Sequence, residues 1–126
     1  MIEIKKTDDK KVYAEFGFGE NAIVMSAKEG DEIFGAGAVE IKDGYAILSD
    51  IKMKDEYKMF NMEFGMAKSL LNMLDLSGVK YVVSDMEDER LLTALRFKKD
   101  VPEGLETDKE YKGYLSLDGY FTEHSC

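Results

Sequence analysis

Residues 58 to 63, KMFNME, stand between a run that reads as a β-strand and a run that reads as an α-helix. A coenzyme- or nucleotide-binding domain uses that junction to hold phosphate: glycines let backbone N–H groups close on the anion, a basic residue helps, and the helix N-terminus adds a favourable dipole. KMFNME has no glycine, one cation in Lys58, and a carboxylate in Glu63. Two further groupings could do chemistry. His124 and Cys126, in TEHSC, are a base and a nucleophile, but the end of a chain cannot hold near-attack geometry. SDMEDE, at 84 to 89, is acidic enough to suggest calcium, yet it lacks the alternate-residue spacing and the glycine of a calcium loop, and helix capping accounts for it better.

The bulk composition narrows the partners. At 126 residues the chain is read as one domain, 1–126, with a single core and no need of disulfides. Its one cysteine excludes a disulfide framework and any zinc spacing, so a reducing compartment and no metal are expected. Lys and Arg total 17 against 26 Asp and Glu, a net charge of -9, which disfavours phosphate-rich partners. The closest approach to a basic stripe, KKTDDKK at 5 to 11, is broken by two aspartates and reads as a solvated turn, so no nucleic acid is expected. The opening MIEIKKTDDKK is too charged for a signal peptide, and no apolar run is long enough to span a membrane. The expectation is a soluble, cytoplasmic protein with no membrane partner.

The elements that must position these groups follow from hydrophobic period. VYAEFGF (12–18) alternates Val12, Ala14, Phe16 and Phe18 as a half-buried strand would. AIVMSA (22–27), EIFGAGAVEI (32–41) and YAILSDIKM (45–53), joined by short glycine-containing links, predict an antiparallel meander. From Met62 the period changes: Met66, Ala67, Leu70, Leu71 and Leu74 form one helical face, and Gly78 supplies a stop. VKYVVS (79–84) reads as a strand buried on both faces. A shorter helix follows, capped by Ser84 or Asp85, with Glu87, Asp88 and Glu89 in its first turn and Leu91, Leu92 and Leu95 on its apolar face. RFKKD and YKGYLSLDGYF read as closing strands. In the last, Tyr114, Ser116 and Asp118 take a wet face against Leu115 and Leu117, and such an edge strand can pair across a homodimer. The eight methionines are adaptable side chains. Met62, Met66 and Met73 read as core, whereas Met59 and Phe60 read as exposed apolar contact residues.

This order resembles the GNAT superfamily of acyl-CoA N-acyltransferases. AILSDIKM resembles the family's fourth strand, 62 to 78 its long central helix, KYVVSD its fifth strand, and LLTALRFKK its LYxKxGFxx segment. The resemblance implies an α+β domain with a mixed central sheet, a long central helix and a shorter second helix. The family's usual first two helices are missing, because residues 1 to 28 read as strands and turns.

In that family the coenzyme A diphosphate lies on a loop of pattern (Q/R)xxGx(G/A), and two placements of it are open here. Without a gap, the loop is Lys58, Met59, Phe60, Asn61, Met62 and Glu63, with Asn61 and Glu63 in place of the glycines; Asn reaches the left-handed conformation far more cheaply than Glu. A carboxylate about 4 Å from a phosphate costs roughly 4 kcal/mol at an effective dielectric of about 20, or about a thousandfold in affinity. With a gap, MEFGMA (62–67) puts Met62, Gly65 and Ala67 at the pattern's positions and shortens the central helix by one turn. The ungapped placement keeps the apolar stripe where the family has it.

The resemblance also places Leu92 where many members carry the tyrosine that protonates the leaving thiolate, and Arg96 where they carry a glycine before Phe97. It leaves Asp50, at the end of the fourth strand, or Glu40 as general-base candidates. Two functions follow as expectations. One is a diverged member with acyl transfer lost or strongly altered, its cleft kept as a surface for a protein partner or small-molecule ligand and built from Met59, Phe60, Met62 and the end of strand 44 to 53. The other is an active acetyl-CoA-dependent N-acyltransferase in which Lys58 contacts the diphosphate and backbone groups of Ile51 to Met53 pair with the pantetheine arm.

Overall fold

The computed structural model describes residues 2–57 and 60–123. The meander forms as its period-two pattern predicts: β2 (Ile23–Glu29), β3 (Glu32–Lys42) and β4 (Tyr45–Met53) pair antiparallel. β1 (Ile2–Thr7) adds to one side, and β5 (Tyr81–Ser84) and β6 (Gly113–Ser116) to the other. Among the described residues the six strands lie in chain order, and only β4 and β5 run parallel. The result is the mixed α+β sheet expected.

Two layers cover the sheet. The long helix α2 (Phe60–Leu76) fully buries Met66, Ala67, Leu70, Leu71 and Leu74 against one face, joined there by Leu91, Leu92 and Leu95 from α3 (Glu89–Ala94) and the residue after it. Gly37 lets α2 come this close, because a Cβ on it would stand 2.7 Å from Leu70 Cδ1 and 2.9 Å from Met66 Cγ. The opposite face is shared. α1 (Lys10–Phe16) packs Val12 and Phe16 on Val24, Ala36 and Ala38. The segment between α3 and β6 packs Leu105 and Tyr111 on Tyr45, Val83 and Tyr114, and is tied down where the Tyr45 and Tyr111 hydroxyls both donate to Asp108 Oδ1 at 2.8 and 2.7 Å.

Several expectations need correction. Residues 12 to 18 are not a strand: Asp9 accepts from Lys11 N–H at 2.9 Å as an N-cap, Gly17 ends the helix at φ 74°, and Lys52 Nζ donates to Phe16 O at 2.7 Å. Val12 and Phe16 satisfy a helical i, i+4 spacing as well as period two, and the caps decide between them. One two-turn helix therefore occupies the place of the family's usual pair. KKTDDKK is only partly a turn, since Lys5 to Thr7 end β1 and Lys10 and Lys11 begin α1.

The cap of α3 is Asp88, whose Oδ1 accepts from Leu91 N–H at 3.1 Å, not Ser84 or Asp85. Ser84 Oγ instead donates to Leu48 O at 2.8 Å. Asp88→Ala is expected to lower stability by about 1 kcal/mol, read as an earlier urea midpoint. RFKKD contributes only a bridge from Lys98 to Tyr114, which also covers part of the outer edge of β6. Tyr114 is buried along with Leu115 rather than wet, and Tyr120–Glu123 form the short helix α4 after the turn at Asp118 and Gly119. Among the described residues no helix is long and apolar enough to cross a membrane.

Candidate functional site

β4 and β5 pair only at Ala46 with Val82 and Ile47 with Val83. Beyond the Ser84-to-Leu48 bond, β4 continues against β3 alone as far as Met53. At the point of separation the β3–β4 register shifts: Val39 faces Leu48, Ala38 faces Asp50, and Ser49 has no opposite residue. Such a bulge bends a strand and re-aims its side chains. A cleft of about 440 Å³ opens here, walled by Ser49, Asp50 and Ile51 of β4, Glu63 of α2, and Asp85, Met86, Glu87, Asp88 and Leu91 from the β5–α3 connection and α3.

Five of those residues are carboxylates, Asp50, Glu63, Asp85, Glu87 and Asp88, and no lysine or arginine is among the described lining residues. Asp50 Oδ1 accepts the N–H of Ile51 at 2.8 Å, while Oδ2 stands 3.8 Å from Lys52 Nζ. Asp85 pairs with Lys109 and accepts Lys112 N–H at 3.0 Å, which fastens the residue 109–112 stretch to the rim. Among the described residues no group of His, Cys, Asp and Glu is arranged to hold a metal ion.

Donation from Lys109 is the chief reason the Asp85 carboxyl lies below its ordinary value of 3.8; partial burial opposes it, and Lys112 N–H adds to it. A carboxyl depressed in the folded state contributes stability that is complete above its unfolded value and is lost as pH falls through the folded one. The Lys112 amide resonance should therefore titrate with a midpoint below 3.8. A midpoint above that value would break the link to Asp85.

The expected site residues divide. Asp50, Ile51 and Glu63 meet in the cleft. Lys58 and Met59 lie outside the described residues. Phe60 is the first residue of α2 rather than part of a loop, and Asn61, Met62 and Glu63 complete its first turn, whose backbone N–H groups have no intrahelical acceptor. Asn61 does not use the left-handed conformation, since Arg96 is the one non-glycine residue at positive φ among those described. Met62 packs against the core, and Met53 packs over Gly35 on β3. The gapped placement falls inside α2, where Ser69 Oγ donates to Gly65 O at 3.0 Å, and residues 60 to 63 of the ungapped one open that helix. Glu40 sits on β3 opposite Ile47, 3.3 Å from Lys42, and is not among the lining residues. His124 and Cys126 are outside the described residues.

The 92–97 segment is equally informative. Leu92 is buried in the core, as is Phe97, and Arg96, just before Phe97, has φ 72°, the conformation a glycine would take without cost. For an L-residue it costs roughly 1–2 kcal/mol. No tyrosine, histidine, cysteine or lysine is among the described lining residues. Tyr120, whose hydroxyl burial pushes up, donates to Leu95 O at 2.9 Å and does not line it.

Asp85, Glu87 and Asp88 stand out in the sequence only as an acidic cluster better explained by helix capping than by calcium, not as part of this cleft. Only the parallel β4–β5 pairing, a contact remote along the chain, brings them beside Asp50.

No family model and no curated protein matches the sequence. Solved structures do match in three dimensions. A proposed acetyltransferase from Exiguobacterium sp. 255-15 superposes with a TM-score of 0.72 at 10% identity, covering 100% of this chain and 99% of that one. The fold is the GNAT fold. A Bacillus subtilis acetyltransferase in complex with CoA gives 0.68 at 12% identity, with 93% and 99% of the two chains covered. A GNAT family acetyltransferase from Elizabethkingia anophelis with acetyl-CoA bound gives 0.65 at 12% identity, with 91% and 94% covered. At these identities the likeness establishes the GNAT architecture and leaves activity to the site itself.

The described residues of the cleft do not fit coenzyme A. Its diphosphate would meet Glu63 in the first turn of α2, where a carboxylate already complements the helix dipole. A pantetheine carbonyl seeking the Ile51 N–H would compete with Asp50 Oδ1.

Proposed function

We propose that this GNAT-fold protein has lost or strongly altered acyl transfer and keeps the β4–β5 cleft as a binding surface for a protein partner or a small molecule. The observation that carries this reading is the cleft lining, with five carboxylates and no described cation. A ligand bearing phosphates is disfavoured there by like charge, and Leu92 leaves the segment after β5 without the acid that thiolate departure would use. The reading predicts no release of free thiol when the protein is incubated with acetyl-CoA and a panel of primary amines. Enzyme-dependent thiol release that tracks protein concentration would overturn it.

A second reading rests on the likeness to GNAT structures that hold acetyl-CoA or CoA. In it the protein is an active N-acyltransferase whose coenzyme is gripped by Lys58. Lys58→Glu should then weaken acetyl-CoA binding by about tenfold or more. An unchanged dissociation constant would count against that grip.

A further inference from the structure

β1 ends the sheet on the side away from β6, and among the described residues nothing pairs with its outer edge. The other end differs, because the Lys98–Tyr114 bridge covers part of β6. An open edge of six residues presents unpaired N–H and C=O groups, which are a template for another strand. Beside it lies a groove of about 450 Å³ between the edge of the sheet and α2, whose lining includes Ile4, Met25, Met73 and Leu76. Leu76 in this groove is 80% exposed, and Ile2, on the same face of β1 as Ile4, is 41% exposed.

The charges on this edge are arranged symmetrically. Ile2, Ile4 and Lys6 share the α2 face, where Ile4 stands opposite Ala27 and packs against the main core, and Glu3, Lys5 and Thr7 share the other face. Glu3 and Lys5 flank Ile4 and reach each other along the strand at 3.2 Å, both of them solvent-accessible. When two copies of one strand pair antiparallel across a two-fold axis, residues directly opposite lie on the same face, so the axis passes through a single residue. Centred on Ile4, that register sets Glu3 against Lys5 of the second copy and Lys5 against its Glu3, with Ile4 against Ile4 and Ile2 against Lys6. Centred on Glu3, Lys5 or Lys6, it sets like charges directly opposite, which destabilises the pair. Edge lysines guard against apolar strands. Against a second copy of this chain, Lys5 meets a glutamate.

We propose that the β1 edge is a self-association surface, on which two copies pair β1 antiparallel to β1 about Ile4 and continue one sheet through both. The axis then stands perpendicular to the sheet, so both α2 helices lie on one face. Ile2 of each copy falls opposite Lys6 of the other, next to Met25, where it and the aliphatic stem of Lys6 cover the mouth of the apolar groove.

The test is sedimentation velocity on the full chain from about 5 to about 500 μM, with a dimer expected at a dissociation constant of about 100 μM or tighter. Glu3→Lys and Lys5→Glu should each weaken self-association at least about tenfold, because each puts two like-charge contacts at the interface. The double variant, Glu3→Lys with Lys5→Glu, should recover it, and the two single variants mixed in equal amounts should form a mixed dimer. Recovery on mixing shows that both variants are folded, so loss of pairing cannot be confused with loss of structure. The proposal fails if the parent chain stays monomeric across this range, as an edge reserved for another protein's strand would, or if the single variants dimerise as the parent does. It also fails if neither the double variant nor the mixture restores the dimer.

Discussion

Asp50→Ala and Glu63→Gln, combined in one chain, are expected to raise affinity for coenzyme A by about a thousandfold. Both residues line the cleft between β4 and β5, and each acts on a different part of the ligand. Removing the Asp50 carboxylate frees the Ile51 N–H, now bonded at 2.8 Å, for a pantetheine carbonyl. Removing the Glu63 charge clears the first turn of α2 for a diphosphate. One carboxylate about 4 Å from a phosphate is worth roughly 4 kcal/mol at an effective dielectric of about 20. The pair is assigned the effect of a single such contact because Asp85, Glu87 and Asp88 remain. The Glu63 change should itself cost helix α2 only about 0.3–1 kcal/mol. Calorimetry on the parent and the double variant decides the matter: equal affinity in both would remove cleft charge as the reason coenzyme A is refused.

Gly37→Val should destabilise the protein by about 1–3 kcal/mol. The prediction follows from the close approach of α2 to β3, where a Cβ at Gly37 would fall 2.7 Å from Leu70 Cδ1 and 2.9 Å from Met66 Cγ. Leu70 and Met66 are fully buried, so neither has open space to move into. The two branches of valine would push α2 away from β3 and disturb one wall of the cleft. Denaturant unfolding measures the loss directly, and Gly35→Ala offers a comparison in which the crowding atoms are the flexible end of Met53 and the carbonyl of Lys52. No change in midpoint for Gly37→Val would mean that α2 does not rest on β3 at this point.

Much of this architecture was legible because its signals are local. The 22–53 meander has short polar links between period-two runs, and α2 has seventeen residues with an uninterrupted apolar stripe. β5 is recognisable as a short apolar run between a glycine stop and an acidic cap. At α1 the local signal is double-edged: Val12 and Phe16 satisfy two periods at once, and the caps Asp9 and Gly17 decide for the helix. The closing strand looked wet on one face because tyrosine and serine alternate with leucine. What buries Tyr114 is a segment brought back over the sheet by Asp108 and Tyr111, a tertiary event with no local signature.

The site divides in the same way. Glu63 and Leu92 could be read as departures from a family pattern, one residue at a time. Their company could not. Asp50 belongs to the end of a strand, Glu63 to a helix start, and Asp85, Glu87 and Asp88 to a loop that also serves α3. Only the separation of two parallel strands gathers them into one acidic cleft. Arg96 shows the converse: the resemblance placed it where a glycine is usual, and its φ of 72° is the backbone geometry that such a position demands.

The most direct test of the central claim is isothermal titration of the unmodified protein with acetyl-CoA and with free coenzyme A, with a thermal melt in each ligand. The acidic cleft predicts no binding heat and no rise in melting temperature at about 1 mM ligand. A dissociation constant in the micromolar range with a raised melting temperature would contradict it, and would show that residues 58 to 63 hold a diphosphate despite Glu63.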